Sequence, residues 1–580
     1  MFNVTEYKKC MADETFFLRP KHDWQRRYEA LRASFVDRLP ARVVADRFGY
    51  SPSYVNLLRH QFSHDKIDFA EPVPEGKVNR RSVDMATRQK ICSWREHRLS
   101  SGEITQLLSE EGIEISVRTV ERVLAEEGYP KLPRRSRLKM GLTVQGARVP
   151  EVAQVLEIGE SKTTDCDSAG VFLFAPFIER LNLPKVVQDA GLPGSKTIPA
   201  LQYFLSFLSL KLIGTERFSH INDHSFDAGL GTFAGLTVLP KCTAMSTYSY
   251  SLDAIHLHKL QKAFVAQASR IGLYEKSIVN LDFHTIPHFG DESVLQEHWA
   301  GARNKRMKGA LTLIGQDADS KLILYTAADI QRSEADDQVL EFLSFWKKAQ
   351  RGVDPMLIFD SKFTTYANLS QLNGFGIKFI TLRRRGKKLI ESVDSLSPWK
   401  RVHIPHAKRK YQNPQVHESM VELTGYSRSL RQIVMRGNGH SRPAFLITND
   451  MDSPVERIVS DYARRWRVEN VIAEAVKFFN LNALSSPILT KVHFDVIMTM
   501  MADTLYSMLA GKLRGFEHCD ASKVYRQFVR GKGRVNLNAE HLVVTFPRKA
   551  HNPILRNVPW HRLPRKISWL GDTNLELKFQ

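Results

Sequence analysis

Residues 355–382 read PMLIFDSKFTTYANLSQLNGFGIKFITL: a short apolar run ending on Asp360, a stretch with helical spacing, and a second apolar run. Runs of about 4–8 aliphatic and β-branched residues bounded by turn residues mark buried strands. The stretch therefore predicts a strand ending on Asp360, a helix over TTYANLSQLNGF (364–375) and a strand over IKFITLRR (377–384). Two strands joined through a helix run parallel, and in such sheets the active groups sit at the carboxyl ends of strands. Asp360 falls at such an end.

Upstream, SIVNLDF (277–283), GALTLIGQD (309–317) and KLILYTAAD (321–329) predict three more strands, followed by a helix over EADDQVLEFLSFWKKAQ (334–350). This order is that of a mixed α/β core with a parallel part. Asp282 also lies near the end of an apolar strand, where a carboxylate is costly to bury unless it meets a cation or a good donor set. A third acid comes from DYARRWRVENVIAEAVKFFNL (461–481), expected as one helix on which Tyr462, Arg465, Glu469, Ala473 and Val476 share a face. The 109 positions from Asp360 to Glu469 exceed any plain strand-to-helix connection, usually about 2–6 residues. Short alternating runs within 400–450 predict a small β-subdomain there. Residues 381–440 hold 13 Lys/Arg against 4 Asp/Glu, so a basic, DNA-facing wall is expected, with Arg383, Arg384, Arg385, Lys387 and Lys388 as its densest run.

Asp282 in LDFHTIPH, Asp360 in IFDSKFTTYANL, and Tyr462, Arg465 and Glu469 in YARRWRVE resemble the DDE-type insertion-sequence transposases. The resemblance is to the group with a Tyr-x2-Arg-x3-Glu-x6-Lys helix, and it spans roughly residues 160–510. The family's closing Lys position holds Val476 here, with Lys477 one place later. The resemblance implies a ribonuclease-H-like core with a β-rich insertion before the catalytic Glu and N-terminal helix-turn-helix units. It implies two Mg²⁺ ions, replaceable by Mn²⁺, with Asp282 shared by both and Asp360 and Glu469 each favouring one. Arg465 would clamp a phosphate and Tyr462 would support Glu469. The implied reaction is cleavage of DNA by water, then joining of the freed 3′-hydroxyl to a target, in a complex of at least two copies. A silent DNA-binding regulator and a metal nuclease without joining activity are the alternatives. Asp291, Asp317, Asp329, Asp450 and Glu474 are the acids most easily mistaken for the three. His284 and His288 read as structural histidines, and Trp299 as a packing residue that can also stack on an unpaired base.

Residues 24–62 fit three helices, with Gly49 in the turn, Ser51 or Ser53 as cap, and Tyr54, Asn56, Arg59 and His60 displayed on the last. Residues 85–129 repeat the arrangement with Gly112, Ser116 and a last helix presenting Arg118, Thr119 and Arg122. A helix so placed reads base edges in the major groove. The expected organisation is helix-turn-helix units at 1–68 and 82–130, a basic linker at 131–150 and a helical linking segment at 151–276. The core follows at 277–384, the β-rich basic insertion at 385–450, the rest of the core with the Glu helix at 451–510, and a basic C-terminal arm at 511–580.

The 580 residues comprise 83 Lys+Arg and 62 Asp+Glu, a net +21 that points to a polyanion, double-stranded DNA above all. Hydrophobic content of 43% excludes wholesale disorder. Cys10, Cys92, Cys166, Cys242 and Cys519 form no C-x-x-C pair, so neither a zinc ribbon nor a disulfide framework is expected. The N-terminus has no signal-peptide core, and the apolar stretches 200–214 and 493–511 read as buried helices. A cytoplasmic, nucleoid-associated protein is expected.

Overall fold

In this computed structural model, the structure describes residues 22–64, 67, 83–97, 99–130, 132, 151–289, 295–301, 304–328, 330–350, 354–361, 363, 365–404, 412–439, 442–483 and 488–580. The basic linker expected at 131–150 therefore lies outside the described residues, Leu132 excepted. The chain divides into two compact units, Met1–Ala147 and Arg148–Gln580.

The first unit contains two three-helix sets. Helices α1 (Asp23–Phe35), α2 (Ala41–Phe48) and α3 (Pro52–Ser63) bury Ala30, Ala33, Val44, Phe48 and Val55 together. Gly49, at φ +69°, makes the left-handed turn after α2, and the Ser51 hydroxyl accepts from the Tyr54 N–H at 3.2 Å. Helices α4 (Met85–Glu96), α5 (Ser101–Glu110) and α6 (Val117–Glu126) enclose Ile91, Ile104, Leu108, Val120 and Val123. Gly112 takes φ +78° before the Ser116 cap of α6.

The second unit opens with β1 (Lys162–Cys166) and the buried helices α7 (Ala200–Leu212) and α8 (Ala254–Arg270). The core strands are β2 (Ile278–Pro287), β3 (Glu297–Ala300), β4 (Lys305–Asp317) and β5 (Ile323–Ala327). Helix α9 (Gln338–Ala349), β6 (Met356–Phe359), α10 (Tyr366–Gly374) and β7 (Phe379–Leu382) follow. Central β2 pairs antiparallel with β4 and parallel with β6, and β6 pairs parallel with β7. β3 and β5 share the outer edge of the long β4.

The segment read as a separate β-subdomain extends this sheet instead. Strands β8 (Lys400–Arg401), β9 (Gln415–Val421), β10 (Leu430–Arg436) and β11 (Ala444–Thr448) continue it in the order β7-β11-β10-β9-β8. β11 runs antiparallel to β7 through Leu446↔Leu382 and Thr448↔Ile380, and so satisfies the backbone edge that β7 would otherwise leave open.

The helix expected over 461–481 is two helices, α11 (Val455–Ala463) and α12 (Trp466–Lys477). Between them the backbone tightens to three-residue bonds, Arg465 N–H to Tyr462 O and Val468 N–H to Arg465 O, each 3.0 Å. Arg464 and Arg467 both reach back to the Ala318 carbonyl here, and Arg464 also pairs with Asp319.

Helix α13 (Leu489–Ala510) is buried along most of its length, as is α7. No helix among the described residues is long and apolar enough to cross a membrane. The region read as a linking segment packs into the same core as the sheet, through Phe204, Leu208, Leu257 and Phe264. Likewise the C-terminal region is a folded layer. β12 (Gly533–Leu537), β13 (His541–Phe546), β14 (Lys566–Ile567) and β15 (Thr573–Phe579) form a sheet with β1, in the order β1-β12-β13-β15-β14. Val535, Leu542, Val544 and Leu575 give it a core face at a period of two, which the excess of basic residues obscures in composition alone.

Candidate active site

The parallel pairing of β2 with β6 ends at Leu281↔Phe359, so the next residues, Asp282 and Asp360, stand level on neighbouring strands. Adjacent strands lie about 4.8 Å apart and in-register side chains share a face. β2 is fixed from its other side by β4, where Asp282 is opposite Ile314. The Asp282 carboxylate accepts from the Phe283 N–H at 3.0 Å, and Asp360 accepts from the Ser361 N–H at 2.6 Å.

Arg465, at the start of α12, joins the third acid to this pair. Its Nη1 donates to Asp282 at 3.2 Å and its Nη2 to Glu469 at 2.8 Å. Burial works against the Arg465 charge, but Tyr462, Asp282, Glu469 and Asp360 outweigh it and hold the guanidinium charged. The guanidinium lies 6.0 Å from the Tyr462 ring centroid, and burial pushes the Tyr462 phenol up to about 12. Asp282 is pushed up to about 6. Burial is the main cause, opposed by Arg465 and reinforced by the negative charges of Glu469 and Asp360. The structure thus brings Asp282, Asp360, Tyr462, Arg465 and Glu469 together, even though the helix expected to carry the last three is broken. Lys477 is exposed at the far end of α12.

The other acids weighed from the sequence have structural duties. Asp317 is fully buried and accepts from the Glu275 N–H and the Ser320 hydroxyl. Asp450 pairs with Lys378 at 2.9 Å, and Glu474 accepts from the Ala521 N–H. Asp291 and Asp329 lie outside the described residues. His284, two positions past Asp282, meets the Asn482 side-chain oxygen at 2.7 Å, and burial lowers its pKa against the opposing pull of that bond. Asn482 carries no motif that could have announced it.

A cleft of about 520 Å³ opens on the acid pair, lined by Asp282, Asp360, His284, Phe289, Trp299 and Asn482. Trp299 is 53% exposed, which departs from the packing role expected of it. As the side chains stand, no three His, Cys, Asp or Glu among the described residues are close enough to hold one metal ion. Arg465 is the cation that Asp282 and Glu469 share. The donor set itself, carboxylates from two neighbouring strands and a helix, is of the hard-oxygen type that suits a divalent cation.

Of the basic run after β7, Arg383 donates to the Gln432 side chain at 2.6 Å, Arg384 to the Ser361 carbonyl at 3.2 Å and Arg385 to the Pro443 carbonyl at 2.7 Å. Lys387 and Lys388 are exposed, the former 3.7 Å from Glu391. In the first unit Asn56 and Arg118 are exposed. Tyr54 is half-buried with its ring 5.0 Å from that of Tyr50, and Arg59 donates to the Leu39 carbonyl at 2.6 Å. The Thr119 hydroxyl bonds that of Ser116, and Arg122 pairs with Glu126.

A core sheet in the order β5-β4-β2-β6-β7, with one acid in mid-β2 where its pairing with β6 stops, one just past β6 and a third from a following helix, is that of a ribonuclease-H-like core. Residues 274–505 match the family described as Transposase DDE domain, and the chain carries a domain of the DDE-type transposases. Such domains work by metal-dependent phosphoryl transfer. No curated protein matches the chain.

Proposed function

We propose that the protein is a transposase that binds the ends of a mobile element, cuts DNA strands there and joins the freed 3′-hydroxyl to a target. The observation that carries this reading is the in-register pairing of β2 with β6 up to Leu281↔Phe359, whose next residues are Asp282 and Asp360, with Glu469 tied to Asp282 through Arg465. Asp282, Asp360 and Glu469 are the residues that would hold two Mg²⁺ ions. Bound there, such ions polarise the phosphoryl group and lower the pKa of the attacking water or hydroxyl. Arg465 is half-buried, held charged and already at the acids, so it is placed to take a phosphate oxygen once a cation has relieved it of Asp282 and Glu469. Tyr462 packs against Arg465 and restrains its swing. His284, held by Asn482, gives β2 a rigid wall beside the acids.

In the first unit α3 and α6 are the recognition helices of helix-turn-helix units. Asn56 and Arg118 read bases, while Tyr54, Arg59, Thr119 and Arg122 shape the helices that present them. Lys387 and Lys388 face the DNA backbone, and Arg383 and Arg385 brace the segment that carries them. Two copies assemble on two ends, and the protein works at the nucleoid in the cytoplasm.

The test is a supercoiled plasmid carrying the inverted repeats that flank the gene, incubated with the protein and Mg²⁺. The expected result is cleavage at the repeat ends together with joined products. Hydrolysed ends that never join, even when supplied pre-cut, would make the protein a nuclease, and intact DNA would remove the catalytic reading.

A further inference from the structure

A second opening lies one residue beyond Asp360, and its chemistry is opposite to that of the acid cleft. It has a volume of about 320 Å³ and is lined by Ser361, Thr365, Thr381, Arg384, Thr424 and Gly425, among others, and no described residue lining it is acidic. Its position is set by topology, at the carboxyl ends of β6 and β7 and the start of α10. Thr381 is in register with Phe359 and Ile447, both buried in the large core that α10 joins through Leu369 and Leu372. Its neighbour Ile380 faces the other way, into the cluster beneath α11.

Thr381 is 2% exposed and its hydroxyl has no hydrogen-bond partner among the described residues. A β-branched strand position so buried is ordinarily filled by Val or Ile, so a hydroxyl left unsatisfied there calls for a ligand. The rest of the lining supplies one guanidinium and the start of a helix. Arg384 hangs at the rim, bonded to the Ser361 carbonyl at 3.2 Å, with Asp336 3.7 Å away on its outer side. The Thr365 hydroxyl caps α10 by accepting from the Asn368 N–H, and the first-turn N–H groups of a helix attract negative charge.

We propose that this opening is a phosphate subsite. It takes the non-bridging oxygens of one backbone phosphate of the strand whose cleavage Asp360 serves, through the Thr381 hydroxyl, the start of α10 and Arg384. The subsite rests on the reading of the protein as a DNA-cutting enzyme and deepens it. One sheet end would then grip two phosphates of one strand, with the acids on one side and donors on the other.

Thr381→Val keeps the shape and removes the hydroxyl. Without DNA the full-length variant should melt at the wild-type temperature or above, because an unsatisfied buried hydroxyl is gone. Its affinity for a random duplex of about 30 bp should nonetheless fall several-fold, with Thr381→Ser restoring it. Arg384→Ala should lower the slope of log affinity against log salt by ~0.9, the value for one duplex phosphate contact. Inorganic phosphate should raise the melting temperature of the wild type and not of Thr381→Val. Wild-type duplex affinity in Thr381→Val would overturn the DNA assignment, even if the effect of inorganic phosphate were lost. A fall in melting temperature matching the loss of binding would reduce Thr381 to a packing residue. If the wild type neither cuts nor joins DNA while Thr381→Val still weakens duplex binding, the subsite stands and the catalytic reading falls. If the wild type cuts and the variant binds as it does, the reverse holds.

Discussion

Asp282 is held at a cost, and the sign of that cost is measurable. Its folded pKa, raised to about 6, means that the folded state holds the proton more tightly than the unfolded chain does. The stability this contributes is complete below the unfolded carboxylate pKa, about 4, and is lost as pH rises through about 6. Asp282→Asn should therefore melt above the wild type at about pH 7.5, with the difference closing as the pH falls below about 4. Thermal melts across that range check it, and a variant less stable than wild type at the higher pH would show that Arg465 and the Phe283 N–H more than compensate the burial of Asp282. In the first unit, Arg118→Ala and Asn56→Ala should each weaken binding to element ends by about 1–3 kcal/mol and affect random duplex much less. Arg59→Ala should lower the melting temperature instead, since that side chain is spent on the Leu39 carbonyl. Equal losses on both DNAs would make Asn56 and Arg118 phosphate contacts.

Among the elements, α12 depends most on distant support. Its far end is gripped by Lys211 of α7, whose ammonium donates to the Phe479 carbonyl at 3.0 Å and pairs with Asp495 of α13 at 2.8 Å. Lys211→Met should destabilise the protein by about 1–3 kcal/mol, toward the lower end because the half-exposed Asp495 can return to water. Urea unfolding of the variant measures this, and unchanged stability would mean that packing alone fixes α12. No sequence signal announced this contact, which spans most of the second unit. The strands themselves were legible, because their apolar runs are local features. What alternation cannot state is the partner: 400–450 reads as strands, but only the free edge of β7 makes them one sheet with the core. The break between α11 and α12 was hidden for a similar reason. No Gly or Pro marks it, and it coincides with Arg464 and Arg467 reaching Ala318 far back in the chain. The three acids were proposed from local features, apolar runs carrying Asp282 and Asp360 and a Glu four residues past Arg465; β2 runs on to Pro287, so Asp282 lies within its strand and only Asp360 follows a strand end.

The largest core of the second unit runs from the central sheet through α7, α8 and α13 into the C-terminal sheet. Removing residues 533–580 would uncover Phe177 and Phe233, whose rings meet those of Trp560 and Trp569, along with the strand edge of β1, so the truncated chain should aggregate or melt far below wild type. A soluble product with the wild-type melting temperature would restore the region to the basic arm its composition suggests. The central claim is that Asp282, Asp360 and Glu469 act as one centre on DNA. Its most direct test is plasmid cleavage by Asp282→Ala, Asp360→Ala and Glu469→Ala side by side, each also assayed for binding to the uncut ends. Because ligands of a shared centre fail together, each variant should lose cleavage about as completely as the triple variant while its end binding persists. Cleavage at the wild-type rate in any one of them would contradict the assignment of that residue and, with it, the three-acid centre.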